Sequence, residues 1–207
     1  MVSRHDLVWL TEAGWHAAIA QAGMPELAQW QAQGWPATGT RRAPDLDAQA
    51  VSLGIALPPA PDGTKRRIGF TAAHGHVQCS APPMLLDDLI GHAPVPWRAP
   101  LAALTAQLRL RAYGSLALQG LTGQAYLRPG SDIDLLFAPD SGAELAHGLS
   151  LLAASPLPLD GEIKFPNGAC VAWREWPGAQ VGAARVLAKF DDGVRLMRVD
   201  HLTATLR

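Results

Sequence analysis

The stretch GSDIDLLF, residues 130–137, places Asp132 and Asp134 one residue apart at the mouth of an apolar run that reads as a buried strand. Side chains at i and i+2 of a strand project from the same face, so the two carboxylates stand about 6–7 Å apart. Unpaired, they repel each other. A divalent cation between them turns that repulsion into attraction, and oxygen ligands are what Mg²⁺ prefers. A bare DxD pair is common as a turn cap followed by a solvated residue, so its surroundings decide the reading. Upstream, YGSLALQG (113–120) supplies three things: a glycine where backbone can approach a ligand, a serine hydroxyl, and the N–H groups of a helix start, which favour anions. A phosphate-binding turn facing a metal-binding carboxylate pair is the constellation that phosphoryl or nucleotidyl transfer needs.

Working outward from this stretch, the order of elements is α/β. LRLRAY (108–113) is a strand leading into Gly114 and Ser115, a short helix and the loop QAYLRPGS (124–131) follow, and then comes the carboxylate strand. SGAELAHGLSLLAAS (141–155) has the spacing of an amphipathic helix. GEIKF (161–165) and GACVAWREW (168–176) read as paired strands joined across PNG, and VRLMRVDHL (194–202) as a closing strand. Upstream, Leu101, Leu104 and Leu108 have helical spacing. TEAGWHAAIAQA (11–22) is a helix with Thr11 as its cap. Residues 51–78 read as two strands around the turn PAPDGTKRR and a third extended piece. The proline-rich segment 81–100 marks the junction between two domains. The expected architecture is therefore α/β (α+β). A small β-rich N-terminal domain, 1–88, precedes a C-terminal domain, 89–207, with a mixed sheet flanked by helices.

Composition narrows the function classes. The 207 residues are 48% hydrophobic, which fits a folded chain long enough for two cores. With 17 basic and 18 acidic side chains the net charge is −1, so no broad field draws nucleic acid to this protein, and any phosphate site is local. Two cysteines, Cys79 and Cys170, are too few for a disulfide framework, and no signal-like start is visible. No apolar run has the length of a membrane span. These features predict a cytoplasmic protein with reduced thiols, no membrane association and no nucleic-acid partner.

Gly114-Ser115 followed by Asp132-Ile133-Asp134 resembles the signature of the DNA polymerase β-like nucleotidyltransferase superfamily. That resemblance implies that Gly-Ser holds the outer phosphates of a triphosphate and that the aspartates bind Mg²⁺. Residues 116–131 between the two motifs form a longer insert than the usual pattern has. The superfamily's third carboxylate comes from a later strand, and PLDGEIKF (158–165) offers Asp160 and Glu162. Glu162 is preferred, because it lies within the strand rather than in its leading turn.

A second resemblance covers most of the chain. RHDLVWL (4–10), WPATGTRRAP (35–44), GTKRRIGF (63–70), residues 113–137 and GEIKFPNGACVAWREW (161–176) are together similar to the malonate decarboxylase holo-acyl-carrier-protein synthases, or phosphoribosyl-dephospho-CoA transferases. The implied reaction moves a 2′-(5″-phosphoribosyl)-3′-dephospho-CoA group from its triphosphate precursor to a serine of the apo acyl carrier subunit of malonate decarboxylase, releasing pyrophosphate. Such a transfer needs charge neutralisation and alignment more than covalent help.

Basic side chains are the candidates for the donor's phosphates: Lys65, Arg66 and Arg67, Arg41 and Arg42, and Arg128 near the carboxylate strand. Trp173 and Trp176 in WREW could stack a base or pack the core. His74, His76 and Cys79 mimic zinc ligands, but no second cluster follows at suitable spacing. His5 beside Asp6 reads as a local cap. Two rival functions share the same residues: nucleotidyl transfer to another acceptor, such as the citrate lyase carrier, a small molecule or a protein side chain, and a carrier-binding module without turnover.

Overall fold

The computed structural model describes residues 2–176 and 184–207. The chain divides into two compact units, the first Met1–Pro83 with Asp191–Gly193 and the second Met84–Phe190 with Val194–Arg207. The boundary at Pro83/Met84 falls ahead of the expected 88/89. The reason is that Met84–Leu85 is already a short strand of the second sheet, paired with Ala112 and Arg111. The proline-rich ends of 81–100 hid that short strand.

In the first unit β1 (Leu7–Leu10) is followed by α1 (Glu12–Ala22), α2 (Pro25–Ala32), β2 (Ala37–Gly39), β3 (Ala50–Ala56), β4 (Arg67–Ala73) and β5 (Val77–Ala81). The five strands form one sheet in the order β4-β3-β2-β1-β5, antiparallel throughout. Helix α1 starts where its sequence says it should. The Thr11 hydroxyl accepts the Gly14 N–H at 3.1 Å, and Gly23 in the left-handed region closes the helix. Alternation fixes the faces of β3, where Val51, Leu53 and Ile55 are buried between half-exposed neighbours.

The second unit contains β6 (Met84–Leu85), α3 (Leu86–Leu89), α4 (Val95–Thr105), β7 (Leu110–Tyr113), α5 (Gly114–Thr122), β8 (Ile133–Phe137), α6 (Gly142–Ala154) and β9 (Leu159–Lys164). It ends with β10 (Cys170–Ala172), β11 (Arg185–Lys189), β12 (Val194–Arg198) and α7 (Val199–Thr203). Seven strands form one mixed sheet in the order β12-β11-β10-β9-β8-β7-β6. Only β8 and β9 run parallel, joined through α6, since a parallel pair needs a crossover. Helix α6 begins as its pattern predicts, with the Ser141 hydroxyl accepting the Glu144 N–H at 3.1 Å. The closing strand is shorter than expected: it stops at Arg198, and 199–203 turn into α7, whose Leu202 is buried. No helix among the described residues is long and apolar enough to cross a membrane.

The core of this unit decides which way the carboxylates point. Ile133, Leu135 and Phe137 of β8 lie in one buried cluster with Leu116 of α5, Leu145 and Leu149 of α6, and Ile163 of β9. Each such side chain contributes about 1.5–3 kcal/mol when withdrawn from water. Strand alternation then forces Asp134 onto the opposite face.

Gly161 allows β9 to come close enough to hold its register with β8. It pairs with Leu135 and has φ +136°, and an added Cβ would lie 2.0 Å from the Leu135 carbonyl oxygen. Replacing Gly161 with alanine is expected to lower the unfolding free energy by about 2–4 kcal/mol, read as a fall in the urea midpoint with an unchanged slope.

Candidate active site

Strand β7 ends at Tyr113, opposite Asp134 on β8, and the chain turns directly into α5 through Gly114 at φ +67°. A Cβ on Gly114 would lie 1.9 Å from Asp134 Oδ2 and 2.8 Å from its Cγ. The carboxylate therefore occupies the space that any other residue would fill, and the start of α5 and Asp134 are pressed together. Ser115, the second residue of α5, is buried. The first N–H groups of a helix have no partner within it and carry partial positive charge, so α5 begins as an anion-attracting end beside a carboxylate.

Asp134 pairs in register with Asp160 on the parallel strand β9. Asp132, exposed just before β8, completes a group in which one carboxylate oxygen from each of Asp132, Asp134 and Asp160 lies within 4.8 Å of the others. Three carboxylates that converge so closely suit a hard divalent cation. Opposite ligands of Mg²⁺ stand about 4.2 Å apart, twice a bond of about 2.1 Å, so small side-chain adjustments suffice.

The third carboxylate in this group is Asp160, not Glu162. Strand β9 starts at Leu159, so Asp160 lies inside the strand and level with Asp134, while Glu162 stands opposite Leu136, farther along. Glu162 is buried, and its Oε1 accepts the Lys189 ammonium at 2.8 Å. Strand β10 lies between them and presents only Cys170 and Ala172 on that face, small enough for the lysine to reach across.

The loop leading to Asp132 is built by residues that the sequence did not point to. Gln119 on α5 uses its side-chain oxygen to accept the N–H groups of Tyr126 and Leu127, both at 3.1 Å, and its amide nitrogen donates to the His92 carbonyl at 2.8 Å. Arg128 N–H then donates to the Ser131 hydroxyl at 2.9 Å, and Ser131 N–H returns to the Arg128 carbonyl at 2.9 Å. This turn delivers Asp132 to the mouth of β8 and leaves the Arg128 side chain exposed next to it in sequence.

The other predicted basic residues belong to the first unit, whereas the carboxylates belong to the second. Arg66 is ion-paired with Glu26 and reaches the Met24 sulfur. Arg42 donates to the carbonyls of Leu46 and Ala50, tying down its own loop. Lys65, Arg67 and Arg41 are exposed. Both tryptophans of WREW are buried core residues, which leaves neither ring free for stacking. Arg174 between them is exposed and reaches Asp160, with Nε 3.9 Å from Oδ1. Asp6 accepts the Ser3 N–H at 2.8 Å, a local capping role. Among the described residues, His74, His76 and Cys79 join no group of converging metal ligands.

The family models of the phosphoribosyl-dephospho-CoA transferase MdcG match the chain in two parts, the N-terminal domain over residues 3–83 and the C-terminal domain over 84–200. A protein of Xanthomonas campestris pv. campestris (strain 8004) called phosphoribosyl-dephospho-CoA transferase is 37% identical over 206 residues, covering 95% of this chain and 94% of its own. Proteins of the same name from Bradyrhizobium diazoefficiens and Klebsiella pneumoniae (strain 342) are 37% and 33% identical. They cover 94% and 93% of this chain and 89% and 92% of their own. No solved structure matches. The protein is an enzyme of the transferase class. It belongs to the phosphoribosyl-dephospho-CoA transferase MdcG family, both of whose domains are present in order.

The loop packing makes a pH-dependent prediction. Burial of Tyr126 pushes its phenol up to about 12, with a smaller opposing effect from a hydrogen bond with Thr122. The unfolded chain releases this proton near pH 10, so between about pH 10 and 12 the folded state holds more protons and stability falls as pH rises. With only two tyrosines in the chain, a spectrophotometric titration of Tyr113→Phe is expected to show a single phenolate transition near the upper end of that window.

Proposed function

We propose that this protein transfers 2′-(5″-phosphoribosyl)-3′-dephospho-CoA from its 5″-triphosphate precursor to a serine of the apo acyl carrier subunit of malonate decarboxylase, releasing pyrophosphate. The observation that carries this reading is the meeting of three carboxylates with the start of α5 at Gly114, in a chain of this family. The family's name supplies the transferred group, and the similarity of the segments quoted above supports the acceptor.

Each residue then has a physical task. Asp132, Asp134 and Asp160 would hold Mg²⁺, which when bound supplies charge neutralisation on the triphosphate and lowers the pKa of the attacking hydroxyl. Gly114 has no Cβ, which lets the Asp134 carboxylate lie against the head of α5, and the first N–H groups of that helix and the Ser115 hydroxyl would donate to the outer phosphates. Arg128, exposed four residues before Asp132, is a further cation for the polyphosphate. The acceptor serine Oγ attacks the innermost phosphorus, the bond from that phosphorus to the bridging oxygen breaks, pyrophosphate departs with the bonding pair, and the hydroxyl proton is lost to water. Holding nucleophile and leaving group in line is the main contribution of such a site, so no dedicated base is required.

The decisive test incubates the protein with apo carrier, the triphosphate donor and Mg²⁺, and follows the carrier by intact mass spectrometry. The expected result is one phosphoribosyl-dephospho-CoA adduct per carrier. An unmodified carrier, with donor and acceptor shown to be competent, overturns the reading, and modification of a citrate lyase carrier alone would redirect it. Asp134→Asn keeps the shape and removes the charge, so transfer is expected to fall by roughly a hundredfold or more while thermal unfolding changes little. Gly114→Ala forces the Asp134 carboxylate aside and is expected to reduce transfer to a similar extent in the same assay.

A further inference from the structure

Arg174 is the basic residue of the WREW motif, and neither the core nor the assigned ligands use it. It follows β10 in a short helical turn, and its side chain is 60% exposed. Three contacts fix its orientation without enclosing it. Its Nη2 donates to the Leu159 carbonyl, its Nε stands 3.9 Å from Asp160 Oδ1, and its guanidinium carbon lies 4.7 Å from the centre of the buried Trp173 ring. The ring contact and the carbonyl hold the fork in place at the edge of the carboxylate group. The separation from Asp160 is longer than a hydrogen bond, so the guanidinium is not consumed by that carboxylate.

An exposed, oriented guanidinium next to three carboxylates has two electrostatic consequences of opposite sign. It repels a divalent cation held by Asp160, and it attracts the anionic oxygens of whatever that cation draws in. We infer that Arg174 is a phosphate-binding residue of this site, gripping the polyphosphate of the donor through its remaining N–H groups. This assignment rests on the transferase reading of the carboxylate group. It adds a second phosphate-binding cation to Arg128 within the unit that holds the carboxylates. Charge-assisted, fork-shaped recognition of phosphate is what a guanidinium offers and an ammonium does not.

The opposite signs separate this role from a structural one. In the full-length protein without donor, titration calorimetry with Mn²⁺ as probe is expected to show that Arg174→Ala binds the metal as well as the parent or roughly two- to fivefold more tightly. With Mn²⁺ saturating, inorganic tripolyphosphate is expected to bind the same variant about tenfold or more weakly, and Arg174→Lys to fall between the two. Unchanged tripolyphosphate affinity in Arg174→Ala overturns the inference. So does a parallel loss of Mn²⁺ affinity, which would mark Arg174 as a scaffold for Asp160. Failure of the parent protein to bind tripolyphosphate at all also overturns it. If tripolyphosphate binding depends on Arg174 while the parent leaves the apo carrier unmodified, the inference stands and the acceptor assignment falls.

Discussion

The in-register parallel pairing of β8 with β9, opposite the glycine that opens α5, is the constraint from which the site follows. Three like charges are held with oxygen atoms within 4.8 Å of one another, an arrangement that their own electrostatics oppose. It is held from behind. The same strands turn Ile133, Leu135, Phe137, Leu159 and Ile163 into the apolar cluster shared with the helices, so the backbone positions that bring Asp134 and Asp160 level are fixed by the core. Two backbone approaches close the geometry, Gly114 against the Asp134 carboxylate and Gly161 against the Leu135 carbonyl. A site built in this way is organised before any cation or substrate arrives, which favours chemistry driven by electrostatics and positioning.

The open face of the second sheet divides its charges into two kinds of work. Asp160 and Glu162 are two residues apart on one strand, yet each meets a different cation in a different setting. Glu162 is buried and bonded to Lys189, and a buried carboxylate without such a partner would be costly. Asp160 is half exposed, with Arg174 at a looser 3.9 Å. The tight pair is structural, with the Lys189 ammonium bonded to Glu162 Oε1 at 2.8 Å on a buried carboxylate. The loose one leaves both groups able to act on a third charge.

Basic residues in the first unit show why charge alone is a poor guide to phosphate binding. Arg66 and Arg42 fall in segments that resemble a donor-binding enzyme, and each is engaged locally, with Glu26 and with two backbone carbonyls respectively. An arginine carries five donors, and a folding chain uses them first for loops that lack regular hydrogen bonding. In the second unit no local pattern singles out Gln119, yet its amide satisfies three backbone groups and so shapes the loop that ends at Asp132.

Local pattern determined much of this protein. Strand alternation made Asp132 and Asp134 a pair at the head of a buried strand, Thr11 and Ser141 marked helix starts, and Asn167-Gly168 marked the β9–β10 hairpin. Gly114-Ser115 placed an anion-attracting turn in the same unit. These readings depend on interactions spanning only a few residues, which a linear pattern records. The short strands β2 and β6 left no such record, because two or three residues show no period; β10, also of three residues, was legible through the Asn167-Gly168 turn beside it. The third carboxylate was likewise beyond the sequence. Asp160 and Glu162 have the same spacing and the same chemistry, and only the register of β9 on β8, with Lys189 reaching across β10, separates them. Which carboxylate a cluster keeps and which one a lysine takes is a fact of cross-strand packing, and tertiary structure alone decides it.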